Sequence, residues 1–337
     1  MSLLSVQTEF PEHLLTLPAS HLKEILGQPT LFHLAGRRTE PLFVSVLLHG
    51  NEDVGWRAVQ QVLTALQGQQ LPRSLSLFVG NVDAAEKDVR RLDGQADYNR
   101  VWPGAEQNDM AEHAMMRQIV DDMTDRSVFA SIDIHNNTGL NPYYGCVNRT
   151  DAPTLHLASL FSPTVVFFER PKGVQSMAFS PLCPSVTCEC GKVGDAGGVE
   201  RAAELLSACL HLPEFPHTKV PTGDIHLFHT VATVYVPQET TFIFGEDDSS
   251  DLQISAQLEH WNFQELGPGT EVAQRRPETT ANFRVHDMTN CDVTDQFFAV
   301  ESDTIRLRKS VMPAMLTLNH RVVQQDCLGY FMERLHA

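Results

Sequence analysis

From Pro41 onward the chain alternates nearly unbroken apolar runs with segments of helical period, and that alternation restricts it to an α/β fold. PLFVSVLLHG (41–50) is apolar on successive residues, so a strand there needs cover on both faces, as in the interior of a sheet flanked by helices. GWRAVQQVLTALQ (55–67) has helical apolar spacing, and SLSLFVGN (74–81) reads as a second strand. An irregular, charged stretch runs through Pro103 and Gly104. Beyond it AEHAMMRQIVDDM (111–123) reads as a helix, FASIDIH (129–135) as a strand, PTLHLASL (153–160) as a helix and TVVFFE (164–169) as a strand. PSVTCEC (184–190) is a further strand, and GGVERAAELLSACLHL (197–212) a helix closed by Pro213. This order predicts a domain over 1–212 with a mixed, largely buried central sheet flanked by helices.

The pattern then changes. TVATVYV (230–236), TTFIFG (240–245) and AMLTLNH (314–320) are short β-rich runs separated by Gly, Pro and polar turns, which predicts a smaller β-rich domain over 213–337. The stretch LPEFPHTKVPTGD (212–224), where prolines interrupt helix and strand alike, is the expected boundary.

A formal net charge of −17 repels phosphate backbones and anionic lipid surfaces, which argues against nucleic acid or membrane as the partner. A small anionic substrate stays compatible, because a few local arginines outweigh distant surface charge once water is excluded. The N-terminal residues carry early glutamates and no long apolar run, unlike a secretory signal, and no segment approaches the roughly 20 apolar residues of a membrane span. The 7 cysteines are odd in number and mostly scattered, which suits a reduced, cytoplasmic setting better than a disulfide framework.

The chemistry concentrates where strands end. His49-Gly50-Asn51-Glu52 follows the first strand and forms an H-x-x-E pair able to present both side chains to one point. A hydrolytic zinc site uses three protein donors plus water, so a third donor is needed from elsewhere. His135 ends FASIDIH, and carboxyl ends of strands are where α/β sites assemble. Asp133, on the same strand face, is placed to orient a ligand. Taken singly, His49 and His135 read equally well as hydrogen-bonded loop and strand-end histidines.

The motifs HGNEDVG, DYNRVWPG, DIHNNTG with NPYYG behind it, and VTCECGK occur in the order found in the succinylglutamate desuccinylase and aspartoacylase family. That family belongs to the zinc carboxypeptidase superfamily. The resemblance runs from about Val44 to the helix ending near Leu210. It implies a zinc-carboxypeptidase-like fold and one Zn2+ per chain, held by His49, Glu52 and His135. It implies that Asn99 and Arg100 of Asp97-Tyr98-Asn99-Arg100 grip a substrate carboxylate, for which a planar guanidinium is suited. Glu189 matches the family's general base. Alternation agrees, since Thr187 and Glu189 face away from Val186, Cys188 and Cys190.

Relatives carry a further arginine upstream of D-x-N-R that polarises the scissile carbonyl. KDVRRLDGQAD offers Arg90 and Arg91, and Arg91 is preferred although the spacing is about one residue longer than usual. Tyr330, Tyr143 and Tyr144 are candidates to line the pocket. His226 and His229 have ligand-like spacing without a nearby third donor, and Cys188 with Cys190 reads as small packing residues. Asp53 or Asp133 could serve a second metal, but one zinc is preferred. The implied activity is hydrolysis of the amide of an N-acyl amino acid, with a metallocarboxypeptidase or cell-wall peptide amidase as the competing reading.

Overall fold

A computed structural model of the protein describes residues 3–106, 109–221, 223–246, 249–277 and 279–335. They form two compact units, Met1–Asn136 with Tyr143–His226, and Asn137–Pro142 with Leu227–Ala337. The residues between the expected boundary at 212/213 and His226 group with the first unit, and Thr222 of that stretch lies outside the described residues.

The first unit is a mixed sheet built from β1 (Ser5–Gln7), β2 (Thr30–Leu34), β3 (Gly36–Val46), β4 (Leu71–Val79), β5 (Ala130–Asn137), β6 (Tyr144–Val147), β7 (Thr164–Phe167) and β8 (Ser185–Lys192). Their order is β1-β2-β4-β3-β5-β8-β6-β7. β3 lies parallel to both β4 and β5, and β6 runs antiparallel to β8. The longer helices are those the periodicity marks; in chain order the helices are α1 (Leu22–Leu26), α2 (Val54–Ala65), α3 (Val82–Glu86), α4 (Ala111–Asp125), α5 (Ala152–Phe161), α6 (Gln175–Phe179) and α7 (Ala196–His211). The apolar second half of β3, Leu42–Val46, is buried throughout, as expected for a strand covered on both faces.

Three strands of this unit escape the apolar pattern. β1 and β2 extend the sheet beyond β4, although the first forty residues carry no clear period, and β6 is a short strand that begins in the NPYYG segment.

One hydrophobic cluster carries the loop that matters most. Phe43 of β3 stacks on Phe179 of α6 at 4.4 Å between ring centroids, and Trp102 packs edge-on to Phe43, Phe78 and Phe179. Trp102 belongs to DYNRVWPG and is fully buried with Tyr98 and Val101, so the apolar half of the motif anchors its polar half. Gly173 closes the arrangement. Its carbonyl accepts from the Trp102 N–H at 3.0 Å, and its left-handed backbone lies so close to Arg100 that an added Cβ would sit 2.4 Å from that carbonyl oxygen.

In the second unit β9 (His226–Tyr235) pairs with β13 (Arg284–Asp287) and β17 (Gly329–Arg334), and β17 pairs with β16 (Met312–Ala314). A second sheet runs β10-β11-β12-β15-β14, from strands Phe242–Phe244, Leu252–Ile254, Glu271–Arg275, Thr304–Leu307 and Phe298–Glu301. Leu252, Ile254, Phe283, Phe298, Ile305 and Phe331 fill its core. AMLTLNH is not the expected strand. Extended pairing stops at Ala314, Met315 takes a left-handed backbone (φ 62°), and a helix begins at His320 with the Asn319 side chain accepting from the Val322 N–H. Among the described residues no helix is long and apolar enough to cross a membrane.

Trp102→Ala removes the anchor of the 97–104 loop and should cost about 3–5 kcal/mol, the range for large aromatic truncation in a core. Denaturant unfolding checks this, and a loss under about 1 kcal/mol would show that the loop is held by other means.

Candidate metal centre

β3 and β5 are parallel neighbours, with Ser45 opposite Asp133, so the residues following them emerge at the same sheet edge. After β3 the chain turns sharply at Leu47, whose backbone is left-handed (φ 56°), and then presents His49. Gly50 is obligatory here. An added Cβ would lie 2.2 Å from backbone atoms of Ala84 and Ala85 in α3, so no other residue lets HGNE pack so close.

His49, Glu52 and His135 converge, their nearest ligand atoms all within 4.8 Å of one another, and all three are buried. Glu52 Oε1 lies 2.9 Å from His49 Nδ1, and Oε2 lies 2.7 Å from His135 Nδ1. The outer ring nitrogens have their own acceptors. His49 Nε2 is 3.1 Å from Asp97 Oδ1, and His135 Nε2 is 2.8 Å from Asp133 Oδ2. A carboxylate oxygen thus stands within hydrogen-bonding distance of both nitrogens of each ring. Two imidazole nitrogens and one carboxylate facing a common point is a donor set that fits a divalent metal such as zinc. Among the described residues this is the one group of three or more such donors, so neither the His226/His229 pair nor Cys188 with Cys190 builds another.

The surrounding shell is just as ordered. Asp133 accepts from Ser45 Oγ at 2.7 Å and from Asn99 Nδ2 at 3.3 Å. Asn99 Oδ1 accepts from the Gln175 N–H at 2.9 Å, which joins D-x-N-R to the start of α6. Asp97 accepts from the Asn99 N–H at 2.8 Å and from Arg90 Nη2 at 3.0 Å. Arg90 is therefore the arginine that reaches the cluster, its Nη1 also 4.0 Å from Glu52. Arg91, the arginine favoured from the sequence, instead donates to the Gln95 carbonyl at 2.8 Å. Neighbouring side chains on an irregular loop take different directions, which residue spacing does not reveal. Arg100 Nη1 donates to the Asn99 carbonyl at 2.8 Å.

Glu189 sits on β8 opposite Tyr144 of β6, buried, with Oε2 making no hydrogen bond to the protein. Burial pushes its pKa up to about 7; the negative charges of Glu52 and Asp133 add to this, while the two histidines oppose it. Glu52 behaves oppositely. Burial works against its ionisation, but the flanking imidazoles outweigh that and hold it below the ordinary carboxylate range. Asp97 is likewise held low against burial, mainly by Arg90 and His49. Two carboxylates in one site are thus pushed apart, the usual arrangement where one is a permanent charge and the other handles protons.

Of the tyrosines, Tyr143 donates to Asp195 Oδ2 at 2.8 Å in the turn after β8. Tyr144 is buried beside Glu189, and Tyr330 lies on β17 opposite Thr233 of β9. Cys188 and Cys190 are buried packing residues whose thiols are shifted well up by burial. Asp53 occupies the N-cap position of α2.

The succinylglutamate desuccinylase/aspartoacylase catalytic domain matches residues 39–212, over half of the chain. The protein belongs to this family. Its named members are hydrolases, a desuccinylase and an aspartoacylase. Solved structures agree at the level of fold. Succinylglutamate desuccinylase from Chromobacterium violaceum superposes with a TM-score of 0.60 at 16% identity, over 90% of this chain and 86% of that one. A succinylglutamate desuccinylase/aspartoacylase from Rhodobacter sphaeroides gives 0.58 at 14% identity, over 90% and 88%. Murine aminoacylase 3 gives 0.54 at 16% identity, over 89% and 97%. No curated protein sequence matches the chain.

The environment of Glu189 sets a pH dependence with a definite sign. A carboxyl raised from 4.5 to about 7 binds its proton more tightly in the folded than in the unfolded chain, so stability falls as pH rises through that window. In metal-free protein, Glu189→Gln should therefore gain stability relative to the parent between pH 4.5 and 7, on the order of 3 kcal/mol in total. Unfolding at a series of pH values measures the difference, and a difference constant from pH 5 to pH 8 would contradict the buried, unpartnered carboxyl.

Proposed function

We propose that the protein is a zinc-dependent deacylase that hydrolyses the amide bond of an N-acyl amino acid. The observation that carries this reading is the pairing of a three-donor cluster, His49, Glu52 and His135, with a separate buried carboxyl, Glu189, whose Oε2 is unspent. Family membership supports the reaction class, and its structural relatives, desuccinylases and an aminoacylase, support an N-acyl amino acid as substrate.

His49, Glu52 and His135 would hold the zinc, which would supply a Lewis acid able to polarise a carbonyl and lower the pKa of water toward roughly 7. The chain's own groups do the rest. Glu189 takes a proton from the attacking water at Oε2 and delivers it to the departing amine, a task suited to a buried carboxyl whose Oε2 has no hydrogen-bond partner in the protein. Arg90, rather than Arg91, steadies negative charge developing on the carbonyl oxygen, because its guanidinium is aimed at the cluster by Asp97. Asn99 and Arg100 anchor the substrate carboxylate, which holds the amide at reacting distance. Asn99 Nδ2 lies 3.3 Å from Asp133 Oδ2 and 3.1 Å from His135 Nε2, which sets the amide at the cluster's edge, and Arg100 has a fork suited to two carboxylate oxygens.

Elemental analysis joined to amino-acid release from N-acetyl, N-succinyl and N-formyl amino acids and from short peptides tests the proposal. The expected result is about one zinc per chain and release from N-acyl amino acids; cleavage confined to peptides with a free C-terminus would instead establish a carboxypeptidase. His49→Ala should lose metal along with rate, since three donors become two. Glu189→Gln should keep zinc and lower kcat by about 10² to 10⁴; near-normal turnover would remove Glu189 from the chemistry. Arg90→Ala should cost about 10² or more in kcat and Arg91→Ala under about tenfold, with the reverse order restoring Arg91 to the role.

A further inference from the structure

Asn136 follows His135 in DIHNNTG, is 3% exposed, and uses both ends of its amide to hold backbone from two other segments. Its Oδ1 accepts from the Val54 N–H at 3.3 Å, at the first turn of α2 and just beyond Glu52. Its Nδ2 donates to the carbonyls of Gly191 and Lys192, both at 3.1 Å, just beyond Glu189 on β8. One planar group therefore touches the backbone beside Glu52, beside His135 and beside Glu189.

Strand alternation puts Asn136 on the face of β5 opposite Asp133 and His135, so it meets neither metal ligands nor substrate and acts from behind. The turn it holds is built to be held. Gly191 has a left-handed backbone (φ 73°), the Lys192 carbonyl also accepts from the Asp195 N–H at 3.1 Å, and Asp195 is fixed by Tyr143 while capping α7 through the Gly197 N–H at 2.9 Å. Tyr143 and Asp195 secure this turn to α7, whereas Asn136 secures it to the strand that carries His135. An acceptor and two donors are needed in one short side chain, which aspartate, serine or leucine does not provide.

We propose that Asn136 is a positioning residue that sets the separation between the metal donors and Glu189: its Oδ1 fixes the segment bearing Glu52, and its Nδ2 fixes the strand end bearing Glu189. The second half rests on the reading of Glu189 as the proton-transfer group; the first half does not.

The test uses the full-length, zinc-loaded protein with Asn136→Asp and Asn136→Ser. It measures zinc Kd by chelator competition, kcat and KM on an N-acyl amino acid, and Tm with and without zinc. Asn136→Asp keeps the acceptor for Val54 and loses both donors. It should hold zinc within about threefold and lose about 10- to 100-fold in kcat with little change in KM, the scale seen when groups that orient a metal site are removed. Asn136→Ser reaches neither side and should also weaken zinc binding by about 10- to 100-fold. If the buried carboxylate of Asn136→Asp prevents folding, the serine variant decides. A folded Asn136→Ser protein with unchanged zinc Kd and kcat, whatever its Tm, overturns the proposal, because a purely structural asparagine moves Tm alone. Glu189→Gln measured in parallel separates the two readings: normal turnover there refutes the base and leaves the zinc arm of Asn136 to be judged by its own Kd, while a crippled Glu189→Gln beside an unaffected Asn136→Ser refutes Asn136 alone.

Discussion

The site depends on one buried carboxylate, Glu52, shared between the Nδ1 atoms of His49 and His135. Burying ionised groups is expensive unless every one is paired, and removing one partner leaves an uncompensated charge. The protein answers with a chain of pairings. Asp97 and Asp133 hold the outer nitrogens of the two rings, Arg90 holds Asp97, and Ser45 with Asn99 holds Asp133. Each imidazole is fixed at both nitrogens, so neither can rotate without breaking a buried contact. Glu189 stands outside these pairings, which is why it alone among the site's acids is pushed toward neutrality. With Glu52, Asp97, Asp133 and Glu189 gathered against two imidazoles and Arg90, a dication among the three donors brings the charges closer to balance, and this strengthens the case for a metal beyond the convergence of ligands.

The fold delivers that arrangement through register. Ser45 and Asp133 are opposite each other on parallel strands, so the same pairing that aligns β3 with β5 also supplies the hydrogen bond that orients the ligand's partner. Glu189 arrives from β8, the next strand over, and Asn99 from a loop tied to the core by Trp102. Strands thus carry His135 and Glu189, His49 and Glu52 come from the turn between β3 and α2, and Asn99 sits on a loop whose apolar residues are locked into the core. Such division suits a site in which displacement by about 1 Å costs rate.

Much of this was legible in the sequence, because the governing signals are local or ordered. The buried strand 41–48 and the helices of residues 54–65, 111–125 and 196–211 announce themselves by period, and the four motifs carry the ligand set by their order. What escaped depends on backbone paths. Arg90 and Arg91 are adjacent, and only the path of the folded loop decides that Arg90 is the one that reaches Asp97. Asn136 is invisible to spacing arguments, since its partners are carbonyls and an N–H rather than side chains with a recognisable pattern. AMLTLNH has strand composition, but a left-handed Met315 and the cap at Asn319 override it.

The overall charge of −17 is compatible with the anionic substrate proposed above, through distance and burial. Surface carboxylates act through water and salt, where fields decay over about 8–10 Å. Arg90 acts from within a cluster where little water intervenes, so its charge is felt locally at greater strength than the distant excess. Its pairing with Asp97 holds the guanidinium against the cluster. Selectivity for an anion in an acidic protein is then a matter of where a few positive groups are held, and in this chain Trp102, Gly173 and Asp97 do the holding.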